Sequence, residues 1–93
     1  MSADLPDELT GDDVLAVVQR ACATVLEIDP SSVHAGTAFV DDLGADSLAL
    51  VEIVEIVEET LAPRARPGFH IEDEDLDALR TVGEAVEYAV ARL

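Results

Sequence analysis

Ser47 is the residue of this chain whose type and surroundings are best suited to covalent chemistry. It lies in the run Asp42–Leu48, Asp-Leu-Gly-Ala-Asp-Ser-Leu, which precedes a stretch with helical apolar spacing. A serine hydroxyl is a weak nucleophile unless a base activates it, and neither His34 nor His70 has a spacing that indicates such a base. The Gly-x-Ser-x-Gly turn of hydrolases is also missing. We therefore expect no catalytic residue, and a serine that another protein modifies.

The start of a helix is a favourable place for a modified serine. Its first turn has free N–H groups and a partial positive charge, which stabilise a phosphate esterified to Ser47. Asp46 is the natural N-cap, because its carboxylate can accept one of those N–H groups. Gly44 permits a backbone turn that a side chain would resist. Considered alone, Ser47 would be an ordinary helix-start serine, and only its surroundings favour a functional interpretation.

The composition limits the class of partner. The chain has 21 acidic residues against five basic ones, all arginine, and a formal charge of −16. Neutralising phosphates requires lysine and arginine, so neither nucleic acid nor an anionic membrane is an expected partner. An acidic surface instead favours proteins with basic surfaces. Acidity that only maintains solubility would explain the same composition.

Length and local composition indicate one small domain. We expect a polar, flexible tail over residues 1–9 and a single domain over 10–93. Cys22 is the single cysteine and falls among apolar residues, which favours a small buried hydrophobe. No apolar run reaches the length of a membrane span, and the start lacks a signal peptide, so a cytoplasmic location is expected. The acidic run 72–75 lacks the glycine of a calcium loop, and no metal site is expected.

Helical periodicity predicts two helices joined by a long connection. The first is expected over residues 11–27 and ends at Asp29-Pro30, because a residue before proline avoids helical geometry. The second runs from residue 46 or 47 to about 61. The connection over 29–45 should be pinned to the core by apolar side chains. These are Val33, Phe39, Val40 and Leu43.

The remaining residues predict two further helices. After a loop over 62–70, a short helix is expected over 71–79. Thr81 and Glu84 then have the capping-box spacing at the start of the last helix. The apolar face of that helix is Val82, Ala85, Val86, Ala89, Val90 and Leu93. The predicted fold is an all-α four-helix bundle with a short third helix and a long first loop.

Helix two should divide into a buried stripe and an acidic outer face. The expected core residues, which would fill the bundle or part to admit a cargo chain, are Phe39, Ile53, Val54, Val57, Leu61, Ile71, Leu76, Val86 and Tyr88. The candidate partner-binding residues are Leu48, Val51, Glu52, Glu55, Glu58 and Glu59. Leu48 and Val51 lie off the buried stripe and should be partly exposed. An ordinary solvated face with two hydrophobic residues remains the alternative.

The motif also resembles a known family. The Asp-Leu-Gly-Ala lead, the Asp-Ser-Leu that comes directly after it and the later Val-Glu-Ile-Val-Glu are similar to the prosthetic-group site of acyl carrier proteins. The resemblance implies a 4′-phosphopantetheine group on Ser47, transferred from coenzyme A by a separate phosphopantetheinyl transferase. It further implies that Asp46 helps the transferase, that Leu48 belongs to the attachment site, and that the first loop crosses the bundle. The thiol of the group would carry acyl chains as thioesters on a non-catalytic, monomeric carrier.

The partners implied by the resemblance are acyltransferases, ketosynthases, or acyl or aminoacyl ligases with basic docking patches. Ala49 stands where fatty-acid carriers usually have an acid, and Glu55 where an apolar contact is frequent. The loop over 62–70 is also longer and carries Arg64 and Arg66. These departures favour a bacterial carrier of polyketide, antibiotic or related secondary metabolism. An aminoacyl or peptidyl carrier and an unmodified interaction protein with the same fold are the alternatives.

Overall fold

Three α-helices form the fold, and the computed structural model describes residues 10–65 and 69–93. The helices are α1 at Gly11–Leu26, α2 at Ser47–Leu61 and α3 at Val82–Arg92. Helix α1 packs against both α2 and α3. The described ranges contain no strand, only an isolated bridge between Ala38 and Thr81. The predicted all-α class is therefore confirmed.

The short helix expected over 71–79 is a 3₁₀ helix at Asp73–Ala78. Its N-cap, Glu72, makes no side-chain capping bond, and a six-residue segment gains little from α-helical hydrogen bonding. The predicted bundle thus consists of three α-helices and this 3₁₀ segment. Two shorter 3₁₀ turns lie at Pro30–Ser32 and Ala62–Arg64.

Two of the predicted features lie outside the described residues. They are the tail over 1–9 and the part of the second loop that contains Arg66. Within the described ranges, no helix has both the length and the apolar character needed to cross a bilayer.

Helix α1 begins as the sequence predicts but ends earlier. Thr10 and Asp13 form a capping box, in which the N–H of Thr10 donates to the Asp13 carboxylate at 2.9 Å. The helix ends at Leu26 because Glu27 adopts a left-handed conformation with φ of 56°. The predicted extent to about residue 27 is therefore confirmed to within one residue, but Asp29-Pro30 does not end the helix, and Pro30 instead begins a 3₁₀ turn.

Aliphatic side chains and Phe39 fill the core. The predicted core residues that are buried are Phe39, Ile53, Val54, Val57, Leu61, Ile71 and Leu76. Val86 and Tyr88 are only half-buried. Val40 and Val90, which were expected to face inward, are instead 61% and 38% exposed. The other apolar residues of the first loop that were expected to contact the core are Val33, which is buried, and Leu43, which is half-buried.

The first loop is also fixed to the start of α3 by the backbone. The N–H of Phe39 donates to the carbonyl of Arg80 at 3.0 Å. Two N–H groups of the first turn of α3 donate back to the loop. These bonds run from Val82 to the Thr37 carbonyl at 2.9 Å and from Gly83 to the Ala35 carbonyl at 2.7 Å. The long connection is therefore an ordered segment that holds the residues preceding α2.

Candidate functional site

Ser47 is the first residue of α2, and Asp46 is its N-cap. Asp46 has extended backbone geometry, and its Oδ1 accepts the N–H of Ala49 at 2.8 Å. This contact satisfies one of the free amides at the start of the helix. The predicted capping role of Asp46 and the predicted start of the second helix are both confirmed.

A tight turn fixes the approach to Ser47. Gly44 has φ of 69°, in the left-handed region that side chains disfavour, and its N–H donates to the Val40 carbonyl at 3.0 Å. The next residue, Ala45, is buried, and its N–H donates to the Phe39 carbonyl at 2.9 Å. Because Ala45 and Phe39 are both anchored in the core, the chain that follows emerges at a defined point on the surface.

The Ser47 hydroxyl differs from those of the other described serines. Ser47 is exposed, and its side chain makes no hydrogen bond within the part of the chain that the structure describes. The hydroxyls of Ser31 and Ser32 donate instead to the side chain and the carbonyl of Asp29, at 2.7 and 2.6 Å. The backbone N–H groups of Ser47 and Leu48 also find no acceptor in the described ranges. Ser47 therefore presents a free hydroxyl beside free helix-start amides.

An open depression of about 400 Å³ lies next to Ser47. Its polar residues are Asp41, Asp46, Ser47 and Arg80, and leucines from α2 and from the 3₁₀ segment supply apolar wall. The side chain of Leu48 is 68% exposed at the same end of α2. Sequence reasoning missed Arg80, because only the folding of the first loop against α3 brings it near Ser47.

No histidine lines this depression among the described residues. His34 and His70 are exposed. Burial raises the pKa of the Cys22 thiol to about 11, so this side chain stays protonated and unreactive at neutral pH. Among the described residues, the site thus combines a free hydroxyl with two carboxylates and a guanidinium and contains no histidine.

Four of the predicted docking residues form one outer stripe of α2. Leu48, Glu52, Glu55 and Glu59 follow each other at helical spacing and are all exposed. The three glutamates also line a shallow groove of about 430 Å³ against α1, with Val25 and Ile56. The stripe therefore combines carboxylates with apolar surface.

The other two predicted docking residues lie away from this stripe. Val51 is half-buried, and the Glu58 side chain is 19% exposed. Glu58 Oε2 accepts the N–H of Ile71 at 2.6 Å and lies 2.6 Å from Nδ1 of His70. The carboxylate of Glu58 therefore holds the second loop against α2, and a partner would have to compete with that contact.

The donors at Ser47 suit an esterified phosphate. The free N–H groups of Ser47 and Leu48 lie at the positive end of the α2 dipole, and Arg80 lines the depression beside them. The depression is open, so an attached chain can leave the surface without displacing core residues. Ser47, Leu48 and Arg80 are therefore the residues that could hold the phosphate of a 4′-phosphopantetheine group.

Comparison with known proteins identifies what the chain is similar to. The family described as "Phosphopantetheine attachment site" matches residues 16–89. An acyl carrier protein from an Exiguobacterium species is 40% identical over 85 residues, which cover 91% of this chain and all of that protein. The meromycolate extension acyl carrier protein of Mycobacterium leprae is 39% identical over 80 residues, or 86% of this chain and 64% of that one.

A solved structure gives the same result. The acyl carrier protein from Enterococcus faecalis superposes with a TM-score of 0.69 and 32% sequence identity. The match covers 91% of this chain and all of the other. The similarity therefore extends over most of the chain, and the family match includes the loop that leads to Ser47.

Proposed function

Because this chain belongs to the acyl carrier protein family, whose members carry covalent 4′-phosphopantetheine, we propose that Ser47 is the residue that bears the group. The observation that carries the proposal is the free, exposed hydroxyl of Ser47 at the start of α2. Ser31 and Ser32 are also exposed, but their hydroxyls are engaged by Asp29. A transferase can therefore approach Ser47 without breaking an internal hydrogen bond.

Each neighbour of Ser47 has a separate part in this function. Asp46 fixes the start of α2, so that the hydroxyl and the free amides keep one geometry. Those amides stabilise the negative charge that a phosphodiester places on Ser47. A separate phosphopantetheinyl transferase supplies the group from coenzyme A, and the terminal thiol of the group holds acyl chains as thioesters.

Intact-mass spectrometry tests the attachment. The wild type, Ser47→Ala and Ser31→Ala are each incubated with coenzyme A and a broad-specificity phosphopantetheinyl transferase. We expect the mass of one phosphopantetheine to be added to the wild type and to Ser31→Ala, and none to Ser47→Ala. Loading of Ser47→Ala would contradict the proposal. No loading of a wild type that is folded by circular dichroism would favour an unmodified interaction protein instead.

We further propose that the outer stripe of α2, Leu48, Glu52, Glu55 and Glu59, is the docking surface for partner enzymes. Its carboxylates are exposed and suit the basic patches expected on acyltransferases, ketosynthases or acyl or aminoacyl ligases. A carrier must leave each partner, so the contact should be small and quickly broken. Docking roles for Val51 and Glu58 stay predictions. Val51 is half-buried, and Glu58 is engaged by the second loop.

Transferase kinetics test the docking surface. Replacing Glu52, Glu55 and Glu59 together by Gln should raise KM for the carrier, leave kcat unchanged, and flatten the dependence of kcat/KM on salt. The control replaces three other exposed acids, Asp12, Glu74 and Glu87, and so removes the same charge. Equal KM values for the two triple variants would show that net charge alone guides association.

The pathway and cargo stay predictions. Ala49 and Glu55 continue to favour polyketide or related metabolism, and an aminoacyl cargo remains the alternative. The apolar gap between the helices, lined by Phe39, Leu50 and Ile53, is about 10 Å³. A cavity of roughly 10–15 Å³ holds a single water molecule at most, so a cargo chain could enter only if the helices part. Cytoplasmic location and a monomeric state are likewise predictions.

A further inference from the structure

Arg80 is the one cation among the described residues that line the depression beside Ser47. Asp41 and Asp46 line the same depression. A phosphodiester on Ser47 would therefore be placed beside two carboxylates, on a chain with a formal charge of −16. Like charges at such a site repel each other, and a single guanidinium there offsets part of that repulsion.

The backbone of Arg80 is fixed while its side chain is exposed. Its carbonyl accepts the N–H of Phe39 at 3.0 Å, and its own N–H donates to Glu84 Oε1 at 2.9 Å. The guanidinium makes no hydrogen bond or salt bridge within the described residues. Arg92, by comparison, lies over the ring of Tyr88 at 3.5 Å from its centroid. The positive charge of Arg80 helps to lower the pKa of the nearby Glu84 carboxyl, but no hydrogen bond from a described residue engages the guanidinium, so its N–H donors remain open to a ligand.

We propose that Arg80 binds the phosphodiester of the 4′-phosphopantetheine arm and so positions the root of the arm over the depression. The inference rests on the proposed attachment at Ser47. A guanidinium suits this task because it stays charged and presents paired N–H donors that match phosphate oxygens. Together with the free amides of Ser47 and Leu48, it surrounds the phosphate with donors from two separate segments of the fold. Arg80 is a positioning residue and takes no part in thioester chemistry.

Arginine side-chain NMR tests the contact directly. The Nε–Hε resonances of the unloaded and loaded wild type are compared, and Arg80→Gln identifies the Arg80 signal by its loss. We expect the Arg80 signal to shift on loading and the signal of Arg20, an exposed arginine of α1, to stay in place. High sodium chloride should reduce the shift, because salt screens a partly exposed charge pair.

Phosphorus NMR of the loaded proteins provides a second measurement. Arg80→Gln should give a narrower phosphodiester resonance than the wild type, since the arm loses its contact and moves more freely. Arg20→Gln removes the same charge from another surface and should match the wild type.

The outcomes separate this inference from the proposed function. Loading without an Arg80 shift, and equal phosphorus line widths in both variants, would overturn the inference and leave attachment at Ser47 intact. An Arg80 shift that appears only after a partner enzyme is added would also overturn it, because the guanidinium would then serve the partner. Absence of loading in the wild type would overturn the proposed function and the inference together.

Discussion

The two ends of α2 differ in how the rest of the chain holds them. At the N-terminal end, Ser47 and Leu48 are exposed, and within the described ranges their side chains make no hydrogen bond. At the other end Leu61 is fully buried, and Glu58 accepts the N–H of Ile71. The N-terminal end is positioned by residues that precede and flank it, such as Ala45, and not by its own outward side chains. A helix can therefore present a modifiable group and still be firmly anchored.

Replacing the leucine at each end of α2 by alanine should sharpen this contrast most. Leu61→Ala removes a fully buried side chain and should lower the free energy of unfolding by about 2–5 kcal/mol. Leu48→Ala removes a side chain that is 68% exposed and should change it by no more than about 0.5 kcal/mol. Urea denaturation followed by circular dichroism measures both. Similar losses for the two variants would contradict the described difference in burial.

Replacing Gly83 by alanine should weaken the contact between the first loop and α3, which positions the N-terminal end of α2. A Cβ at this position would lie 2.9 Å from the carbonyl oxygen of Ala35, which is backbone and cannot rotate away. We expect Gly83→Ala to lower the free energy of unfolding by about 1–3 kcal/mol. Gly11 is the control, because a Cβ there meets nothing within 4 Å and should stabilise by about 0.4–1 kcal/mol. A Gly83→Ala protein as stable as the wild type would show that the loop can shift freely.

Glu58 and Glu55, two acids in the C-terminal half of α2, should differ in their effect on stability. Glu58→Gln removes the charge that faces His70, although the amide oxygen can still accept the N–H of Ile71. We expect a loss of about 0.5–1 kcal/mol relative to Glu55→Gln, an exposed neighbour with the same change of charge. Thermal unfolding of the two variants gives the comparison. A less stable Glu55→Gln would reverse the assignment of the two side chains.

The smallest expected effect is on how the melting temperature depends on pH at acid pH. The backbone N–H of Thr81, helped by that of Arg80, holds the pKa of the Glu84 carboxyl below its usual value, against an opposing effect of desolvation. A lowered pKa in the folded state stabilises the fold above the ordinary carboxyl pKa, and this stabilisation is lost as pH falls through the folded value. The melting temperature should therefore decline less steeply towards acid pH in Glu84→Gln than in Glu87→Gln. Equal dependence of the melting temperature on pH in the two variants would argue against a stabilising contact of the Glu84 carboxylate at the start of α3.

Local signals made the start of α2 and of α3 predictable from the sequence. Asp46 caps α2 and Thr81 caps α3 through contacts that span only three residues, so residue type and spacing were sufficient. Gly44 was expected to permit a turn that a side chain would resist, and its left-handed geometry agrees with that expectation. The same local patterns predicted Ser47 at the start of a helix, whereas its exposure depends on the fold.

Contacts between distant segments were not predictable in this way. Arg80 reaches the depression beside Ser47 only because the first loop pairs with the start of α3. The sequence predicted Glu58 on the acidic outer face of α2, but its carboxylate contacts residues 70 and 71 of the second loop. Val40 shared the apolar character of the core residues and yet faces outward. Each of these depends on how two segments meet, which periodicity within one segment does not specify.

Locating the modified residue by tandem mass spectrometry tests the central claim most directly. The wild type is loaded with phosphopantetheine and digested, and fragment masses assign the group to one side chain. We expect Ser47 to carry all of it and peptides containing Ser31 and Ser32 to be unmodified. Finding the group on Ser31 or Ser32, with Ser47 unmodified, would show that Ser47 is not the attachment site.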